Sequence, residues 1–219
     1  MPHPIANHIK NLVSQGEHQQ LDFKFEISDS KKIARSLVAF ANTDGGKILV
    51  GVKDNGAIAG VRSEEEFFMV EGAASMHCRP QISFLTKEWI VDGKTILEVV
   101  VKKSPGRPHY APDKDGKWKA FVRVKDQNLA ASKTLLKLWL AQKKNQAVSI
   151  RYREQEAILL HYLEENHHIT LSGFSRMAGI PRFLAEKILI NFILLDIIYM
   201  DMTGQQTYYR LAEGKDAGS

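Results

Sequence analysis

Apolar and polar positions change rhythm several times along this chain, and each rhythm predicts an element. Residues 5–15 carry a weak helical period through Ile5, Ile9, Leu12 and Val13. Residues 21–27 alternate strictly, with Leu21, Phe23, Phe25 and Ile27 on one side and Asp22, Lys24 and Glu26 on the other, which predicts a half-buried strand. Ile33, Leu37 and Ala41 then recur at helical spacing behind Ser and Asp N-cap candidates. Residues 47–53 are apolar on both faces, as in a central strand, and Asp54-Asn55-Gly56 after them is a hairpin signal toward 57–61.

The pattern continues with an acid-started helix at 63–77 and two strands within 82–103 joined at Asp92-Gly93. A proline- and glycine-rich loop follows at 104–117. Residues 118–126 alternate again, with Lys119, Phe121, Arg123 and Lys125 on one face, and an amphipathic helix at 132–142 closes the first unit. Beyond a linker at 143–150 come three helices and a two-stranded hairpin, an order that predicts a winged-helix-like domain over 151–212. The fold class is therefore α+β. A domain over 1–142 carries a mixed sheet with flanking helices, the smaller domain follows, and a frayed tail occupies 213–219.

Charge adds a direction to this picture. The chain has 219 residues and a net charge of +5. Residues 1–140 hold 21 Lys and Arg against 16 Asp and Glu, whereas 141–219 hold 9 against 9. A polyanionic partner is expected on the first part. The single cysteine, Cys78, excludes an intrachain disulfide and a Cys-rich metal site. The start of the chain lacks the apolar core of a signal peptide, and the apolar run at 188–200 is short and broken by Asn191 and Asp196. The expectation is a cytoplasmic protein with no membrane partner.

Candidate chemistry sits at four places, each with a plainer alternative. Gly45-Gly46 follows a helix instead of opening one, and no phosphate-loop or dinucleotide motif is present, so a helix C-cap plus a turn competes with a phosphate cradle and wins locally. Glu17, Asp22 and Asp54, with Lys24 beside them, form a carboxylate set able to bind a divalent metal, or else are turn and surface acids. The face of Lys119, Phe121, Arg123 and Lys125, with Arg107 and His109 before it, either tracks a phosphate backbone or is a solvated strand face. The helix at 181–195 is apolar nearly all round, which fits burial or a homo-oligomer interface better than a major groove.

Three stretches then occur in order: "EHQQLDFKFE", "AFANTDGGKILVGVKDNGAIAGV" and "PHYAPDKDGKWKAFVRVKDQN". Together, over about residues 10–140, they resemble the Schlafen AlbA-like domain family. The resemblance implies a mixed α/β sheet and nucleic-acid association, DNA or RNA, of the kind found in bacterial transcriptional regulators. Phosphate contacts are expected from Lys24, Lys53, Arg107, Arg123 and Lys125. No cofactor is expected for that role. Related animal domains cut RNA with acids at the positions matching Glu17, Asp22 and Asp54, which implies Mg or Mn held by those three, with Lys24 offsetting charge, as the alternative activity. Asp22 stands where the family commonly has Glu, which shortens its reach by about 1.5 Å. An interaction or dimerisation adaptor is the third reading.

Overall fold

The computed structural model describes residues 4–63, 65–144, 153–204 and 206–212, with backbone alone for 4–7. The chain divides into two compact units, Met1–Ala131 and Ser132–Ser219.

The first unit is built on a mixed sheet of β1 (Leu21–Lys24), β2 (Gly46–Val50), β3 (Phe84–Val91) and β4 (Lys94–Val101), in the order β1-β2-β4-β3. β1 and β2 are parallel and the other pairs antiparallel. A parallel pair needs a crossover, and α2 (Ser30–Asn42) supplies it. α2 starts where Asp29 accepts the Lys31 N–H at 2.8 Å. It ends where the Gly45 N–H returns to the Phe40 carbonyl at 2.9 Å.

The double glycine answers a packing demand. Gly45 has φ +72°, and a Cβ there would lie 2.8 Å from the Val101 carbonyl oxygen. A Cβ on Gly46 would meet the Phe40 ring at 2.4 Å. Only glycine lets the chain turn from α2 straight into a central strand at this distance.

Two apolar layers cover the sheet. One face carries Ile48, Val50, Leu97, Val99 and Val101 against α2 and α3 (Glu65–Met76). The other carries Phe23, Leu49 and Ile96 against Ile9 of α1 (Pro4–Gln15). Small hairpins complete the unit. β5 (Ala111–Pro112), inside the stretch expected to be loop, pairs with β6 (Trp118–Lys119), and β7 (Phe121–Val124) pairs with β8 (Gln127–Ala130).

Several expectations change here. The first strand stops at Lys24, so Phe25 is 37% exposed and no longer shares the inward face. Asp22, read as outward, is 3% exposed. β7 is buried on both sides, so Phe121 and Arg123 do not belong to a solvated face. Residues 57–61 form no strand and meet 51–53 through a bridge from Val52 to Ile58 and through backbone hydrogen bonds to Gly51 and from Lys53.

The second unit begins one helix earlier than expected. α4 (Lys133–Lys143), with Ser132 as its N-cap, packs on α7 (Arg182–Leu194). Thr134 donates to the Glu186 carboxylate at 2.7 Å, and Lys137 pairs with the same group. With α4 moved, the first unit carries 19 Lys and Arg against 16 Asp and Glu, and the second 11 against 9. The excess charge is therefore shared between the units. Leu159, Leu163, Phe174, Leu189, Phe192 and Tyr209 form the core of α5 (Glu154–Asn166), α6 (Leu171–Met177), α7 and the hairpin β9 (Ile198–Thr203) and β10 (Gln206–Leu211). Most apolar residues of α7 are covered within its own unit, by this core and by α4, while Phe183 in its first turn is 71% exposed. The expected linker, from residue 145 on, and the expected tail at 213–219 lie outside the described residues. Among the described residues no helix is long and apolar enough to cross a membrane.

Candidate nucleic-acid interface

A cleft of about 570 Å³ opens in the first unit. Its floor is a closed polar ring drawn from four elements. Arg123 of β7 donates through one terminal nitrogen to Asp22 Oδ1 of β1 at 3.2 Å and to the Leu21 carbonyl at 3.0 Å. Its other terminal nitrogen donates to Asn128 Oδ1 of β8 at 3.1 Å. Asn128 Nδ2 donates to Ser36 Oγ of α2 at 2.9 Å, and Ser36 Oγ donates to Asp22 Oδ2 at 3.3 Å. Lys24 Nζ closes on Asp22 Oδ2 at 2.8 Å.

The neighbouring backbone explains why these side chains meet. Thr43 Oγ1 accepts the Arg123 N–H at 2.9 Å and donates to the Ala39 carbonyl at 2.7 Å. Asn42 donates to the carbonyls of His109 and Phe121, each at 2.9 Å, and accepts the His109 N–H at 2.8 Å. Gln19 donates to the Arg123 carbonyl and accepts the Lys125 N–H, both at 2.8 Å. Much of the polar content of the three sequence motifs is thus spent aligning β1, α2 and β7.

The acids divide in charge. Glu17 accepts the Phe23 N–H at 2.7 Å and lies in hydrogen-bonding reach of Asp22. Burial, then that hydrogen bond, pushes the Glu17 carboxyl above the usual range. Burial works against ionised Asp22 too, but the charge of Lys24, the hydrogen bond with Glu17 and the charge of Arg123 hold it below its ordinary value. Of the two, Glu17 holds its proton to higher pH and Asp22 ionises first.

Of the expected site residues, Glu17, Asp22, Lys24, Asp54 and Arg123 line this cleft, while Lys53, Arg107 and Lys125 do not. Arg123 is 1% exposed and bonded to Asp22, Asn128 and backbone, so it is a brace in the floor and not a surface contact. Lys125 is exposed in the β7–β8 turn at φ +57°. Arg107 is partly desolvated, which lowers its pKa against the opposing charge of Asp44.

A divalent metal held by Glu17, Asp22 and Asp54 does not fit this arrangement. Among the described residues no three His, Cys, Asp or Glu side chains are placed to hold a metal ion. Lys24, Ser36 and Arg123 already take the Asp22 oxygens. Asp54 is exposed in the turn after β2.

Sequence reasoning named Lys119 and missed three further cations of the cleft. Lys32 and Arg35 of α2 line the cleft, as do Lys114 and Lys119 of the β5–β6 hairpin. The signal for the first two was present: positions 32, 35 and 36 fall on one helical face, and Ser36 is in the ring. The signal for the hairpin was hidden by prolines and glycines that read as loop. Lys119 pairs with Asp113 at 2.7 Å, but among the described residues no carboxylate pairs with Lys32, Arg35 or Lys114.

The fold and cleft define an α+β domain with a polar, charge-lined groove over a buried ion pair. The family model described as Schlafen, AlbA_2 matches residues 17–132, more than half of the chain, and the chain belongs to that family. The matched span closes within a residue of the boundary between the two units. Similar solved structures include the DIP2311 protein from Corynebacterium diphtheriae, at 17% identity and TM-score 0.44 over 74% of this chain. This chain spans only 34% of that protein. Another is the N-terminal domain of a DNA helicase RecG-related protein from Nitrosomonas europaea, at 22% identity and TM-score 0.41, covering 60% of this chain and 96% of that one. No curated protein matches the sequence.

Proposed function

We propose that this protein binds nucleic acid through the cleft of its first unit. The observation that carries the reading is a cleft whose buried acid, Asp22, is neutralised within the floor, while Lys32, Arg35 and Lys114 line it alongside Asp54, Asp115 and Asp126. Asp22 is shared by Lys24 and Arg123. Among the described residues, Lys32, Arg35 and Lys114 line the cleft with no carboxylate in ion-pair contact. Such cations meet phosphate oxygens and release counterions, a sequence-independent contact. Membership of the Schlafen, AlbA_2 family supports the same reading. A role in transcriptional regulation is the finer form of the proposal. It rests on joining this unit to a second in which α5, α6, α7 and the β9–β10 hairpin follow the winged-helix order after α4.

The test is fluorescence anisotropy of duplex DNA, single-stranded DNA and a structured RNA against the full chain, titrated with salt. Affinity falling linearly in log salt is expected. K32A/R35A should weaken every polymer and reduce the slope on duplex DNA by about two contacts, at about 0.9 each. Flat titrations for all three polymers overturn the proposal.

A further inference from the structure

Phe25 is, with Phe68 and Trp118, an exposed aromatic side chain of the first unit. It directly follows cleft residue Lys24, and β1 has ended, so its ring is not drawn into the sheet. It is 37% exposed, whereas Phe23 two residues earlier is fully buried. Two cations attend the ring: Lys53 Nζ lies 5.4 Å from its centroid and the Arg62 guanidinium carbon 5.5 Å. Lys53 directly precedes cleft residue Asp54. Consecutive Cα atoms are about 3.8 Å apart, so the backbone of Phe25 and of Lys53 adjoins that of cleft residues Lys24 and Asp54.

From this grouping we infer that Phe25 is a stacking platform for an unpaired base of a single-stranded nucleic acid, with Lys53 and Arg62 on the flanking phosphates. The inference rests on the phosphate-binding reading of the cleft and adds the form of polymer. Both cation–ring distances are near the outer limit of about 6 Å for that interaction, so the cations hold the ring loosely. Base–aromatic stacking is at least as strong and accepts any base. Arg62 pairs with Glu26 at 3.5 Å, but with the Arg62 side chain 73% exposed this pair is readily exchanged for phosphate. A duplex keeps its base faces stacked inside and offers none to Phe25; a single strand does.

The test uses the full chain and three probes of about a dozen nucleotides. These are oligothymidylate, an abasic oligonucleotide with the same backbone, and a duplex. F25A should weaken oligothymidylate about tenfold, the equivalent of one lost stacking contact. It should leave the abasic and duplex affinities and all salt slopes within about twofold of wild type, and F25W should restore oligothymidylate binding. The ring is exposed, and circular dichroism of each variant confirms the fold. An unchanged oligothymidylate affinity in F25A overturns the inference. So does an equal loss on all three probes, because the ring would then only position its cations. In both cases binding by the wild-type cleft still stands. If wild type binds none of the probes at low salt, the cleft reading itself fails, and the inference with it.

Discussion

Asp22 and Glu98 are buried carboxylates on opposite faces of one sheet. Register assigns the faces: Asp22 is level with Ile48 and Val99, whereas Glu98 is level with Leu49 and Phe23. Each is 3% exposed. Each is held below its ordinary pKa because nearby donors outweigh burial. Their partners differ. Arg123, on Asp22, is itself 1% exposed. Lys47 and His8, on Glu98 at 2.8 and 3.2 Å, have side chains 35% and 36% exposed, and the Trp89 indole donates at 2.7 Å. An exposed cation that loses its anion returns to water; a buried one cannot. Equal burial of two carboxylates therefore conceals unequal dependence on their partners. The more dependent of the two forms the floor of the cleft.

The largest effect should come from R123M. It leaves Asp22 with the Lys24 cation and the Ser36 hydroxyl, takes the Arg123 donor from Asn128 Oδ1, and leaves the Leu21 carbonyl only the His18 N–H. The expected loss is about 3–5 kcal/mol. The slowest-exchanging amides of β1, β2 and β4 report it for the first unit without assuming that the whole chain unfolds in one step. A loss below about 1 kcal/mol would mean that the ring is incidental to stability.

E98Q comes next, at about 1–2 kcal/mol on the same amides, because Lys47 and His8 rehydrate when the charge is removed. If E98Q costs as much as R123M, partner exposure is not what separates the two sites, and the comparison breaks.

Particular residues explain what could be read before the structure. α2, the β3–β4 pair and the second unit's helices were legible because period, caps and turn signals agree there, as Asp29, Asp92-Gly93 and Ser132 illustrate. Glu17, Asp22, Lys24 and Asp54 were legible as a group because the motifs carry them to one cleft. Alternation misled where tertiary pairing overrides it. Asp22 and Arg123 each read as outward, yet each supplies the counterion that permits the other's burial, across 101 residues of sequence. No local pattern encodes that pairing. The α4 boundary was missed for a similar reason, since an amphipathic helix declares that it packs but not on what. Its partners, Glu186 on α7 among them, lie about 50 residues further on.

The smallest effect separates the two carboxylates by pH. Asp22 has a carboxyl neighbour, Glu17, whereas the bonding partners of Glu98 are Lys47, His8 and Trp89. Asp22, Glu98 and, in the second unit, Glu186 all have lowered pKa values. Their contribution is present above the ordinary carboxylate range and is lost as acid protonates them. Glu17 has the opposite sign. Its folded pKa is raised, so its contribution is fully present below the ordinary glutamate value of 4.5 and is lost as pH rises through the folded value. Wild type should therefore lose a little stability, below about 1 kcal/mol after allowing for the partial exposure of Glu17, as pH climbs away from the glutamate range. E17Q keeps a neutral donor beside Asp22 at every pH and should be flat over that window, while retaining the acid-side loss. Amide exchange of β1 across the window measures both. If E17Q reproduces the wild-type slope, the proton is not held at Glu17, and the acid in the cleft floor is no different in kind from the one beneath α1.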